Sequence, residues 1–159
     1  MQFWKQFKPK CCSVGLKATT KDEALQEVVA NLVKAGVLPA KLEAAALEAL
    51  REREKVASTG VGMGVAIPHV KLAGLERVVC SLSVHQEGLE WQAVDGAPAN
   101  LFFTVLRPDR PGDHHDPERH IRMMTWIAKL GRDPDFRRFA SNARTRTELV
   151  DLLREMSAV

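Results

Sequence analysis

The chain has 159 residues, 45% of them hydrophobic, with 23 basic and 20 acidic side chains that leave a formal net charge of +3. That length suits one domain with a core of two or three layers. The charge balance excludes an ordinary nucleic-acid binder, and no apolar run approaches the ~20 residues of a membrane span, so neither nucleic acid nor stable membrane insertion is expected.

Residues 1–12 read as an N-terminal tail and 13–159 as a single domain. The first ten residues lack the apolar stretch of a secretory signal, so a cytoplasmic location is expected. Phe3, Trp4 and Phe7 are interleaved with lysines. Such a segment can lie on a membrane surface, pack on its own domain or stay loose. The three cysteines, Cys11, Cys12 and Cys80, form no C-x-x-C pair and read as reduced thiols, not a disulfide or zinc site.

Thr20 and Glu23 make a capping-box pattern ahead of Leu25, Val28, Val29 and Leu32 at helical spacing, and Gly36 can end that helix. Pro39 opens a second helix with Leu42, Ala45, Ala46, Ala49 and Leu50 on one stripe. The next position on the stripe is Arg53, which predicts an inward-facing cation at the negative end of the helix. Downstream, Val78 to Val84 reads as a strand. Gln86 to Pro98 reads as a short strand with Leu89 and Trp91, then an Asp95-Gly96 turn. Leu101 to Leu106 reads as a buried central strand. Asp116-Pro117 and Asp133-Pro134 are helix starts, and Thr145 with Glu148 is a second capping box. The basic residues Arg132, Arg137, Arg138, Arg144 and Arg146 read as a solvated helix face. The order helix, helix, strands, helices fits an α/β fold with a mixed sheet between helices.

The chemistry concentrates between Arg53 and Lys71. Ser58, Thr59, Gly60 and Gly62 offer hydroxyls and open backbone N–H groups that can form a phosphate-binding concavity. No Gly-Lys-Ser/Thr follows, and a strand, Val65 to Ile67, comes next in place of a helix, so a nucleotide loop is excluded. Pro68 then fixes its own backbone and extends Ile67, which aims His69 from a strand end. A neutral imidazole is a good nucleophile near pH 7 and can hold a phosphoryl group. His120 falls in the first turn of the helix after Asp116, on the face of Met123, Met124 and Ile127; it reads as a core histidine or as a phosphate contact at the helix start. His114, His115, Asp113 and Asp116 read as a solvated loop, with no metal site expected. His85 ends a strand with no evident partner.

Three segments carry a resemblance to a known family: R-E-K at 53–55, S-T-G-V-G-M-G-V-A-I-P-H-V-K at 58–71 and G-L-E-W-Q-A-V-D-G-A-P at 88–98. Together with His120, they resemble the enzyme IIA domains of the bacterial phosphotransferase system, in the fructose/mannitol/nitrogen-regulatory group. The resemblance covers about Ala18 to Leu153. It implies a three-layer α/β/α sandwich with a small mixed sheet. It implies His69 as phosphoacceptor through Nε2, with His120 contacting the phosphoryl group or orienting His69, and Arg53 supplying positive charge. It implies the phosphocarrier HPr, or its nitrogen-branch relative, as donor and an enzyme IIB domain or a regulatory target as partner, with no cofactor. Because one such domain fills the length, a regulatory role is preferred to sugar import; a non-catalytic interaction module is the remaining alternative. The chain departs from the family pattern at Val70, where glycine is usual, and in a longer 108–120 loop with two extra histidines.

Overall fold

Local capping sets most of the helix boundaries. In this computed structural model, which describes residues 2–157, α1 spans Lys21–Lys34 and starts where Thr20 accepts from the Glu23 N–H at 3.2 Å. The Glu23 carboxylate reaches back one residue further than expected, to the Thr19 N–H. Helix α2, Glu43–Val56, does not open at Pro39, because a 3-10 turn at Ala40–Leu42 comes first. Its buried stripe is narrower than the spacing suggests: Ala46 and Leu50 are buried, whereas Ala45 faces solvent. Helices α3 (Pro117–Arg132) and α4 (Pro134–Ser141) begin behind Asp116 and Asp133, whose carboxylates accept N–H groups of the first turn. Thr145 caps α5, Arg146–Met156, in the same way. Each such cap contributes roughly 1 kcal/mol by satisfying donors that have no partner inside the helix.

The sheet has β1 (Gly60–Gly62), β2 (Val65–Ala66), β3 (His69–Leu72), β4 (Val79–Leu89) and β5 (Ala99–Pro108). Strand β5 is central, as its apolar run predicts. It pairs antiparallel with β4 on one side and parallel with β2 and β3 on the other. Strands β2 and β3 are one line in one register, with Val65 opposite Leu101 and His69 opposite Val105. The line breaks at Ile67-Pro68, where proline has no N–H to give to a ladder. Strand β1 folds back antiparallel on β2. The expected separate strand after Gln86 is instead the end of β4, which runs to Leu89 through an irregularity after Val84; Trp91 lies in the loop beyond.

Alternation along β5 divides the core in two. Leu101, Phe103 and Val105 pack with α3, α4 and α5, while Phe102 and Leu106 pack with α1 and α2. This is the α/β/α sandwich with a mixed sheet that the sequence predicts. Residues 2–12 are part of it. Phe3 is buried, and Phe7 is fully buried edge-on to Phe103, with ring centroids 6.0 Å apart. Their apolar groups are therefore engaged in the domain and not presented to a membrane surface. All three cysteines are buried, and burial pushes the Cys12 thiol up to about 12, so these are inert packing groups. Among the described residues, no helix is long and apolar enough to cross a membrane.

Candidate active site

Four separate elements deliver side chains to one cleft of about 460 Å³, lined among others by Arg53, His69, Lys71, Arg107 and His120. The break in the β2–β3 line explains how His69 is held. Ile67 donates its N–H to the Thr59 carbonyl, and the Pro68 carbonyl accepts from Val105. The Ile67 carbonyl turns to the His69 ring, 2.8 Å from Nδ1. A carbonyl only accepts, so Nδ1 carries the proton and Nε2 keeps its lone pair. His69 is half-buried and lines the cleft with that ring.

His120 sits one turn into α3, and its backbone N–H donates to the Asp116 carbonyl. Its Nδ1 is buried without a hydrogen-bond partner among the described residues. Burial first, then the charge of Arg107 and the neighbouring His115 and His69, pushes its pKa down to about 4. The ring is therefore neutral at pH 7, as the helix start also favours. Arg53 is half-buried at the end of α2, where its Nη1 donates to the Ala57 carbonyl at 2.6 Å. That contact caps the carbonyl end of the helix and still leaves guanidinium N–H groups for the cleft.

Arg107 was not expected from the sequence. It extends the Leu101, Phe103, Val105 face of β5 by one step, which brings it beside His69, whose register partner is Val105. The signal lies in strand alternation, but it becomes visible only once β3 is known to pair with β5. Arg53, Lys71 and Arg107 face one carboxylate in the cleft lining, Glu52, which is itself paired with Lys55 at 2.9 Å. The surplus is positive and planar guanidinium groups supply much of it, which suits phosphoryl oxygens.

The expected phosphate cradle at Ser58, Thr59, Gly60 and Gly62 is not brought to this cleft: none of the four lines it. Their polar groups are engaged internally. Ser58 donates to the Trp91 carbonyl, and Thr59 gives both its hydroxyl and its N–H to Glu54. The Trp91 indole donates to the Thr59 hydroxyl at 3.1 Å, and the Gly60 N–H goes to Ser58 Oγ. Lys21 closes the cluster with an ion pair to Glu54 at 2.9 Å. Two of the glycines are needed for shape. A Cβ at Gly60 would lie 2.8 Å from that of Ala93, and Gly62 has a φ of 95° in the reversal between β1 and β2. The loop is thus a buckle that fixes the approach to β2 and His69.

His85 proves to be a satisfied core histidine. Its Nε2 donates to the Ala18 carbonyl at 2.7 Å and its Nδ1 accepts from the Gly88 N–H. Among the described residues, no three of His, Cys, Asp and Glu come together in a metal-binding group.

Comparison with known proteins bears on the family and the fold. Residues 5–156 match the family described as "Phosphoenolpyruvate-dependent sugar phosphotransferase system, EIIA 2". A nitrogen regulatory protein of Bradyrhizobium diazoefficiens is 37% identical over 127 residues, which are 80% of this chain and 78% of that one. A fructose-specific EIIA component of Haloferax volcanii is 31% identical over 137 residues, 86% of this chain and 84% of that one. The crystal structure of the nitrogen regulatory protein IIA-Ntr from Neisseria meningitidis superimposes with a TM-score of 0.80 at 24% identity, covering 96% of this chain and 99% of that chain.

Proposed function

The chain belongs to the EIIA 2 family of the phosphoenolpyruvate-dependent sugar phosphotransferase system, and on that premise we propose that it is a phosphoryl carrier that holds the group on His69 Nε2. The observation that carries this is the contact between His69 Nδ1 and the Ile67 carbonyl, which leaves Nε2 as the lone-pair nitrogen in a cationic cleft. The donor is an HPr-like protein with a phosphorylated histidine. As His69 Nε2 bonds to phosphorus, the donor's N–P bond breaks and its ring nitrogen leaves with the electron pair. Positive charge develops on the His69 ring, and the Ile67 carbonyl stabilises it through the Nδ1 proton. Arg53 and Arg107 oppose the charge on the phosphoryl oxygens, and neutral His120 offers a hydrogen bond without adding charge. Phosphoryl transfer relies on this kind of positioning and electrostatics.

The role we favour is regulatory, of the nitrogen type. Similarity to the Bradyrhizobium nitrogen regulatory protein and to that of Pseudomonas aeruginosa, 33% identical over 117 residues, supports it. Sugar import, with transfer onward to an enzyme IIB domain, is the second reading, which the Haloferax similarity favours. The test uses phosphoenolpyruvate, enzyme I and a cognate HPr-like carrier. The chain gains one acid-labile, base-stable phosphoryl group and His69→Ala gains none; full labelling of that variant would refute the assignment. Phosphorylation adds roughly two negative charges beside Arg53. A regulator or sensor captured by only one of the two states supports regulation. Rapid, complete transfer to a sugar-specific IIB with no state-selective partner supports import.

A further inference from the structure

Two stretches take no part in the reaction above: the 3-10 turns at Phe3–Gln6 and Pro9–Cys11, and the loop joining β5 to α3. They meet over a cavity of about 530 Å³, bounded also by the start of β4 and the first turn of α3. Five cations line it: Lys5, Lys8, Lys10, Arg77 and Arg119. Its one lining carboxylate, Asp116, accepts the Glu118 N–H as the cap of α3. Among the described residues, none of the five cations is in an ion pair. Arg77 donates to His114 Nε2 at 3.2 Å, and Arg119 lies over the Phe3 ring.

The second observation is independent of the rim. His115 lines the same cavity, is only 6% exposed, and has no hydrogen-bond partner for Nδ1. His120 lines it too, with its own Nδ1 buried and unpartnered, and its ring centroid is 6.1 Å from that of His115. Buried polar nitrogens are nearly always paired, so two orphans side by side beneath a cationic rim point to an anionic ligand.

We propose that this cavity binds a small polyanion of the phosphorylated-metabolite class, and that His120, which lines both this cavity and the His69 cleft, relays its occupancy to the phosphoryl-transfer site. The volume lies in the range of small-ligand pockets. Val37, Val79 and Met123 form an apolar floor, and the cations stand round the mouth, which suits a compact body with two or more charged groups. The concave shape, bounded on one side by the chain's own N-terminal turns, favours a small ligand over an acidic protein surface. An anion beside His115 and His120 opposes the burial and repulsion that keep the His120 ring neutral. An imidazolium donates from both nitrogens, so one N–H can serve the cavity and the other the cleft. The relay rests on the reading of His69 as phosphoacceptor; the binding site does not.

The test is calorimetric titration with inorganic pyrophosphate at ~150 mM salt, where loose surface attraction is screened. One-to-one saturable binding is expected in the unaltered protein and in His69→Ala, so a failure of the His69 assignment leaves this result readable. Arg77→Glu and Lys8→Glu, both at exposed positions, should each weaken binding by tenfold or more, and His115→Ala should weaken it too. The ring carbon signals of His115 and His120 should move together with saturation while those of His85 stay still. Non-saturable binding, an affinity untouched by both charge reversals, or tighter binding of an oligoglutamate peptide than of pyrophosphate would overturn the site. Saturable binding with a stationary His120 signal would overturn the relay.

Discussion

Replacing His120 with glutamine should flatten the acid side of the stability profile. The ring is held neutral in the folded protein, with its pKa pushed down from 6.5 to about 4 by burial, Arg107, His115 and His69. An unfolded chain takes up the proton near pH ~6.5, so between that value and about 4 the unfolded state binds more protons than the folded one. The stability that a neutral His120 contributes is complete above pH ~6.5 and is lost progressively as pH falls through the folded value. At face value the shift corresponds to about 3 kcal/mol. The ring keeps some solvent contact and the opposing charges are screened, which reduces the expected loss to ~1–2 kcal/mol. With a urea m-value of roughly 2 kcal/mol/M, that is about 0.5–1 M in the midpoint. The assay is urea unfolding of both proteins from pH 7.5 to 4.5, read as the difference between them, so that carboxylates common to both cancel. His120→Gln should lose less stability on acidification than the parent by that amount. Parallel midpoint curves through the whole range would refute the claim that a neutral His120 faces the cleft.

Three further outcomes follow from named contacts. Arg107→Ala, and likewise Arg53→Ala, should slow phosphoryl transfer to His69 by about 10- to 150-fold, the worth of one charge-assisted contact, without removing the acceptor; rapid-quench labelling measures it, and unchanged rates would make both groups structural. Glu54→Ala leaves the Thr59 N–H and the largely buried Lys21 without their carboxylate. Lys21 retains Gln92 and the Trp91 carbonyl, so the cost should be ~2–4 kcal/mol, below that of a fully buried broken pair, seen as a fall in melting temperature of roughly 5–12 °C. Phe7→Ala should cost ~3–4 kcal/mol, as for a core phenylalanine; a cost under ~1 kcal/mol would mean the N-terminal turns are not part of the folding unit.

What the sequence discloses is what depends on neighbours in the chain. The caps at Thr20, Asp116, Asp133 and Thr145 are local contests for N–H groups, and all four fall where the residues put them. Pro68 and His69 are legible for the same reason, since proline acts on the residues beside it. Misreadings arise where the partner is remote. Ser58 is claimed by the Trp91 carbonyl, 33 residues away, and His85 by the Ala18 carbonyl, 67 residues away. No pattern near a hydroxyl tells whether a distant indole or carbonyl has taken it. Arg107 is hidden by register, because its nearness to His69 depends on a strand pairing that periodicity does not specify. The N-terminal aromatics left three placements open in the sequence, a membrane surface, the domain itself or neither, and packing against α3 and α5 decided among them.

The contact between His69 and the Ile67 carbonyl has a consequence for how the site drifts over generations. In many histidine-based sites a carboxylate side chain fixes the tautomer, and one point mutation removes it. Here the acceptor is a main-chain oxygen, which every residue at position 67 would carry. The genetic vulnerability moves to Pro68, whose missing N–H keeps the strand line open. The identity at 67 is left free to vary with the packing of β2 against β5. Position 67 should therefore tolerate a range of apolar residues in a saturation library selected for phosphoryl transfer, and position 68 very few.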